Sequence, residues 1–176
     1  MVVNPAVKPR VATTGLVLTS AVVLILLAFV PLSLDASELP AVIEILVASV
    51  LLAMALLLSW LWWKRQAQRR AWAANAEARW RSFNDARINN GTTTEVTLLS
   101  VDAVQPTGSW VTIMWNRFNH VQHAWIEALP EPLWPGSVLL IAPDLTQVMP
   151  GTPWPETYFI RAADCLAWAP AEGRQP

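Results

Sequence analysis

Two long apolar runs open the chain, and an alternating pattern closes it. No charge falls between Arg10 and Asp35, and the centre of that stretch, Leu16–Leu32, is densely apolar. A helix needs about 20 apolar residues to cross a bilayer. The run therefore predicts a transmembrane helix over 11–34. A second is predicted over 41–63, where Glu44 is the one charge and 45–63 carries none. Neither run has the polar face of a soluble amphipathic helix. Residues 35–40 are too few for a domain, so the pattern predicts a tight antiparallel hairpin closed by a periplasmic or extracellular loop. A cleaved signal peptide is disfavoured. The first run is longer than the usual apolar region of about 7–15 residues, and Leu34-Asp35-Ala36 lacks a small-x-small site.

Residues 64–91 read as a basic connector helix. The stretch is rich in Ala, Arg and Gln and contains no Gly or Pro before Gly91. Trp72, Ala76, Trp80 and Phe83 recur at helical spacing and share one face. Asn89-Asn90-Gly91 suits a helix C-terminus. From Thr92 onward the period becomes two. Strands are expected at Thr93–Val104, Trp110–Trp115, His123–Leu129, Ser137–Ala142, Glu156–Ile160 and Cys165–Ala169. Gln105–Gly108 reads as a turn, and Ala162-Ala163-Asp164 as a bulge or single helical turn. Short strands in so small a segment predict a barrel of the SH3-like or OB-like type over 92–170. Its core area is expected from Trp110, Trp115, Trp125, Trp134, Trp154 and Trp168. Residues 171–176 read as a flexible tail.

Charge adds the orientation. The N-terminal tail, 1–10, carries Lys8 and Arg10, the inter-helix loop carries Asp35 and Glu38, and Lys64, Arg65, Arg69 and Arg70 follow the second span. The positive-inside rule then places both termini in the cytoplasm of a bacterial inner membrane, as a multi-pass protein. Trp60, Trp62 and Trp63 stand where an aromatic belt belongs, and with the four basic residues they are the expected lipid contacts. Composition agrees. Of 176 residues, 54% are hydrophobic and 14% charged, against about 25% charged in an average soluble domain. Up to residue 90 there are nine basic and five acidic residues; beyond it there are three and eight. A net of −5 over the C-terminal part disfavours nucleic acid.

Candidate chemistry is sparse. There is no nucleophile elbow, phosphate loop, dinucleotide fingerprint or zincin motif. His120 and His123 sit three apart, a spacing that points to opposite faces on a strand, and they read as polar residues of a hairpin loop beginning near Asn116. Cys165 is the one cysteine and reads as a small buried hydrophobe. No catalytic residue, metal ligand or cofactor is expected. Glu44 lies within about one turn of the interface and is expected to reach water. Tryptophans suit a protein contact. Candidate partner-binding residues are Trp72, Trp80 and Phe83 on the connector, with Met149 and Trp154 in the Pro143–Pro155 loop. The connector's stripe otherwise packs on the C-terminal domain or on a second copy.

A membrane hairpin followed by a small β-barrel resembles, in its order of elements, the NfeD-like proteins. That resemblance implies partnership with membrane-scaffold proteins. The expectation is a non-enzymatic α+β membrane protein that presents its barrel to a protein partner or larger membrane complex. Two other readings compete. One is an enzyme or metal-binding domain using Cys165, His120 and His123. The other is an oligomeric transport component built around Glu44.

Overall fold

A computed structural model describes residues 4–34, 41–147 and 153–173. Helix α1 spans Thr14–Leu34 and helix α2 spans Ala41–Asn89. Six strands follow: β1 Thr94–Gln105, β2 Gly108–Trp115, β3 His120–Glu127, β4 Ser137–Ile141, β5 Thr157–Ile160 and β6 Cys165–Pro170. Contacts divide the chain into two compact units, Pro9–Ala71 on one hand and Met1–Lys8 with Trp72–Pro176 on the other.

The expected two-helix transmembrane hairpin with a closed barrel is not what forms. Among the described residues one helix, Val42–Asn89, is long and apolar enough to cross a membrane. In α1 the apolar stretch among the described residues is Thr14–Phe29. The second run and the basic connector are one element, because nothing between 41 and 89 breaks a helix: the segment has no Gly and no Pro. At about 1.5 Å per residue it is about 73 Å long. Glu44 stands in its first turn and Arg87 in its last, each on the side that the helix dipole favours. The loop at 35–40 lies outside the described residues.

Within Pro9–Ala71, α1 packs on α2 through Leu16, Val23 and Leu58, with Ala55 and Trp62 against them. Trp62 donates its indole N–H to Ser20 Oγ at 3.1 Å, and Arg65 reaches Val11 O and Thr13 Oγ1. Most of the apolar surface here stays uncovered. Leu24, Phe29, Ile45 and Leu56 are all exposed.

The sheet of the other unit is open and mixed, in the order β5-β3-β2-β1-β4-β6. β1, β2 and β3 form an antiparallel meander. β5 then joins β3 in parallel, and β6 joins β4 antiparallel. β5 and β6 therefore end at opposite edges, and no barrel closes. Two irregularities in β1, between Leu98 and Ser100 and between Val101 and Ala103, bend that strand. Thr94–Thr97 pairs with β4, while β2 follows the strand from Val96 to Gln105.

Each face of the sheet has its own core. Alternation sends Val111, Ile113 and Trp115 of β2 and Ala124 and Ile126 of β3 inward, where they meet Val96, Leu98, Tyr158 and Ile160. Trp115 donates to Gln122 Oε1 at 2.9 Å, and the Gln122 amide bonds the Pro155 carbonyl, so the buried polar side chain is satisfied. On the other side Phe83 of α2, fully buried, packs with Val138, Leu140 and Ala169. That helical cover replaces the second wall a closed barrel would have needed. Residues at the N-terminus belong to this unit too: Trp72 donates to Pro5 O at 2.8 Å and Lys8 N–H to Glu172 at 2.8 Å.

Candidate functional site

The expected sites fall in several places. Lys64, Arg69 and Arg70 are exposed on α2, as are Trp60 and Trp63, with the Lys64 ammonium 5.1 Å from the Trp60 ring centroid. Trp62 and Arg65 are half-buried, the first bonded to Ser20 of α1 and the second to Thr13 just before it. The helical stripe is turned inward. Phe83 is wholly enclosed by its own unit, and Trp80 lies tilted beside it, ring centroids 4.9 Å apart, and donates to Pro170 O. Their apolar area is spent on β4 and β6, which removes Phe83 from any partner surface. Trp72 is half-buried against Pro5. Trp154 folds back over the core, 5.3 Å from Trp115 and stacked on His120 at 4.6 Å. Met149 lies outside the described residues.

The two histidines stand in β3 itself, not in a hairpin loop. The turn before it is made by 116–119, with Asn119 in the left-handed region at φ 49°. His120 shares the inward face with Gln122, and His123 the outward face with Val121. Cys165 is on β6, and three strands separate it from β3. No histidine can act as its base, and burial pushes its thiol up to about 11. Among the described residues no three His, Cys, Asp or Glu converge on a metal position.

Two of the tryptophans assigned to the core are elsewhere. Trp110 and Trp125 are cross-strand partners on the outward face, edge to face at 5.0 Å. Trp125 is also in register with Phe159 of β5, which is 51% exposed. The result is an aromatic row running across β2, β3 and β5 on the solvent side. Val121 is exposed on the same face. The alternation in Trp110–Trp115 already marked Val111, Ile113 and Trp115 as one face. The signal for Trp110 was therefore its odd position in that alternation, set against its bulk.

Acidic and hydroxyl groups border the row. Thr112 donates to Asp102 Oδ2 at 3.0 Å and approaches His123 Nδ1 at 3.4 Å, while Ser100 donates to the other Asp102 oxygen at 2.7 Å. Those two hydroxyls hold the Asp102 carboxyl below its ordinary value. Thr112 spends its proton on the carboxylate rather than on the imidazole, so the trio lacks the nucleophile-to-base bond of hydrolytic catalysis. On the other flank Glu127 accepts from Ala162 N–H at 2.8 Å.

The free side of β5 is covered as well. Gln147 uses its side-chain amide like a strand: its carbonyl accepts from Phe159 N–H at 2.8 Å and its NH₂ donates to Phe159 O at 2.9 Å. Asp144 positions Gln147 at 3.1 Å and Thr146 at 2.7 Å, and its own N–H donates to Tyr158 Oη. Chain pairing at this edge is thereby blocked while the aromatic side chains above it stay open. Compared with known proteins, the chain matches no family model, no curated protein and no solved structure.

Proposed function

We propose that the chain is a non-enzymatic, membrane-anchored interaction protein. The apolar half of α2 holds it in a bacterial inner membrane, with Lys64, Arg65, Arg69 and Arg70 at the cytoplasmic headgroups. The sheet presents its outward face to a protein partner. The observation that carries this reading is the Trp110–Trp125–Phe159 row, a contiguous aromatic strip whose two ends are exposed and whose middle ring is half-buried between them. Trp is the residue type most concentrated at binding hot spots. The carboxylates of Asp102 and Glu127 beside the strip favour a partner segment that brings apolar and basic side chains. The extensive bare apolar surface of Pro9–Ala71 supports the anchoring half of the reading, since soluble proteins seldom expose large apolar patches.

The test is photo-crosslinking of the full chain in native membranes, with the reactive residue placed at 110 or 159, and at Leu99 as a control. A discrete protein adduct at 110 and 159, lost in Trp125→Ala, is the expected result. No adduct, or one unaffected by Trp125→Ala, ends the proposal.

A further inference from the structure

Every arginine of α2 beyond residue 76 has a carboxylate partner. Arg79 bonds Glu131 Oε2 at 3.0 Å. Its guanidinium also lies 3.8 Å from the Trp168 ring centroid, and the Trp168 indole N–H donates to that same oxygen at 2.8 Å. Arg81 bonds Glu77 and Arg87 bonds Glu95, each at 3.2 Å. The basic residues at 64–70 differ. Arg65 spends its guanidinium on Val11 O and Thr13 Oγ1, both neutral. Lys64, Arg69 and Arg70 are exposed, and among the described residues no carboxylate bonds any of the four. Four positive charges crowd about two turns of helix with no countercharge from the protein.

Their depth is set by the helix. Between Glu44 and Lys64 α2 carries no charge, and at about 1.5 Å per residue these two stand about 30 Å apart, the thickness of a hydrocarbon core. Two exposed rings lie just inside the basic residues, Trp60 at 51% and Trp63 at 70% exposed. Lys64 follows Trp60 by four residues and Arg70 follows Trp63 by seven, so each cation shares a line of the helix with a ring one or two turns back. The Lys64 ammonium is 5.1 Å from the Trp60 centroid. Trp62 and Arg65 are instead committed to α1 and its N-terminal approach. We propose that Trp60 with Lys64, and Trp63 with Arg70, form binding sites for phospholipids of net negative charge, an inference that rests on the anchoring reading above and adds the lipid class. Each ring meets the glycerol region, and each cation meets the phosphodiester. A zwitterionic lipid brings its own cation beside the phosphate and leaves the excess positive charge unmatched; an anionic lipid cancels it.

The test places the full chain in nanodiscs of mixed phosphatidylglycerol and phosphatidylcholine, with one or the other brominated high on its acyl chains. Quenching of tryptophan fluorescence then gives the relative affinity of the two lipids beside the rings. The expected result is a preference of about fivefold for phosphatidylglycerol, cut by about half or more in the double variant Lys64→Gln/Arg70→Gln and unchanged in Arg81→Gln. Equal quenching by the two lipids overturns the inference and leaves the anchoring reading standing; no quenching by either overturns both. A preference that the double variant retains in full overturns the inference too. So does its abolition by soluble glycerol phosphate at constant ionic strength, which would assign the cluster to a free phosphate. The comparison of the two lipids on the unaltered chain stands even if the double variant fails to fold.

Discussion

Trp80 donates its indole N–H to the carbonyl of Pro170 at 3.0 Å, which bonds helix α2 to the last residue of β6. Phe83, one turn on, is fully buried against β4 and β6. The edge strand is therefore held from above by a helix as well as from the side by β4. Phe83→Ala is expected to lower the unfolding free energy by about 3–5 kcal/mol, the usual loss for a buried phenylalanine. Trp80→Phe, which keeps a ring and removes the donor, is expected to cost about 1 kcal/mol. Denaturant titration of the full chain, followed by near-ultraviolet circular dichroism, reads both.

Gly108 begins β2 opposite Glu127, with the Trp125 ring above it. A methyl group there would stand 2.7 Å from that ring and closer still to the Ile126 carbonyl. The backbone cannot yield without loosening the β2–β3 pairing. Gly108→Ala is expected to cost about 1–3 kcal/mol and to displace Trp125 from Trp110. The checking measurement is the pair of indole N–H resonances in an NMR spectrum, with partner crosslinking from position 159 falling in parallel.

Burial raises the Cys165 thiol from 9.0 to about 11. A folded value above the unfolded one means that stability is complete below pH 9 and is lost as pH rises from 9 to about 11. The two-unit difference corresponds to about 3 kcal/mol. Burial also raises Tyr158 above its usual 10.0, so its contribution fades only beyond pH 10. Cys165→Ala is thus expected to flatten the stability profile between pH 9 and 10 and to leave a fall above it. Urea midpoints measured across that range decide the matter.

Asp144 carries the opposite sign. Hydrogen bonds from Thr146, with help from Gln147, hold its carboxyl below the ordinary 3.8. Its contribution is present above that value and lost as pH falls through the lower, folded one. Since Asp144 positions Gln147, and Gln147 covers β5, protonation is expected to expose the Phe159 amide. Hydrogen exchange at Phe159, corrected for intrinsic rates, should accelerate below pH 4. In Asp144→Ala it should be fast at neutral pH as well.

Local pattern located the elements far better than it assembled them. The period-two segments placed strands at Trp110–Trp115 and Ser137–Ala142, within two residues of β2 and β4, and Ala162-Ala163-Asp164 does form a 3₁₀ turn. Alternation states which side chains share a face; it does not state which strand is the neighbour. The parallel pairing of β5 with β3 spans a long proline-rich connection that carries no local signal. The closed barrel failed as an expectation for that reason. Tryptophan identity misled in a different way. Bulk alone argued for burial of Trp110 and Trp125, whereas register puts both outside. The Arg79–Glu131–Trp168 tie joins residues far apart in the chain, and no spacing rule anticipates it.

Both edges of the sheet come from one short stretch near the end of the chain, β5 at Thr157–Ile160 and β6 at Cys165–Pro170. During synthesis the β1–β2–β3 meander emerges first and can pair locally, whereas the edges must wait for distant sequence. Until they arrive, β3 and β4 present unpaired backbone to the cell, the condition that invites aggregation. A premature stop anywhere between 142 and 156 would make that exposure permanent, and such products should be cleared by proteases rather than accumulate as smaller working versions of the protein.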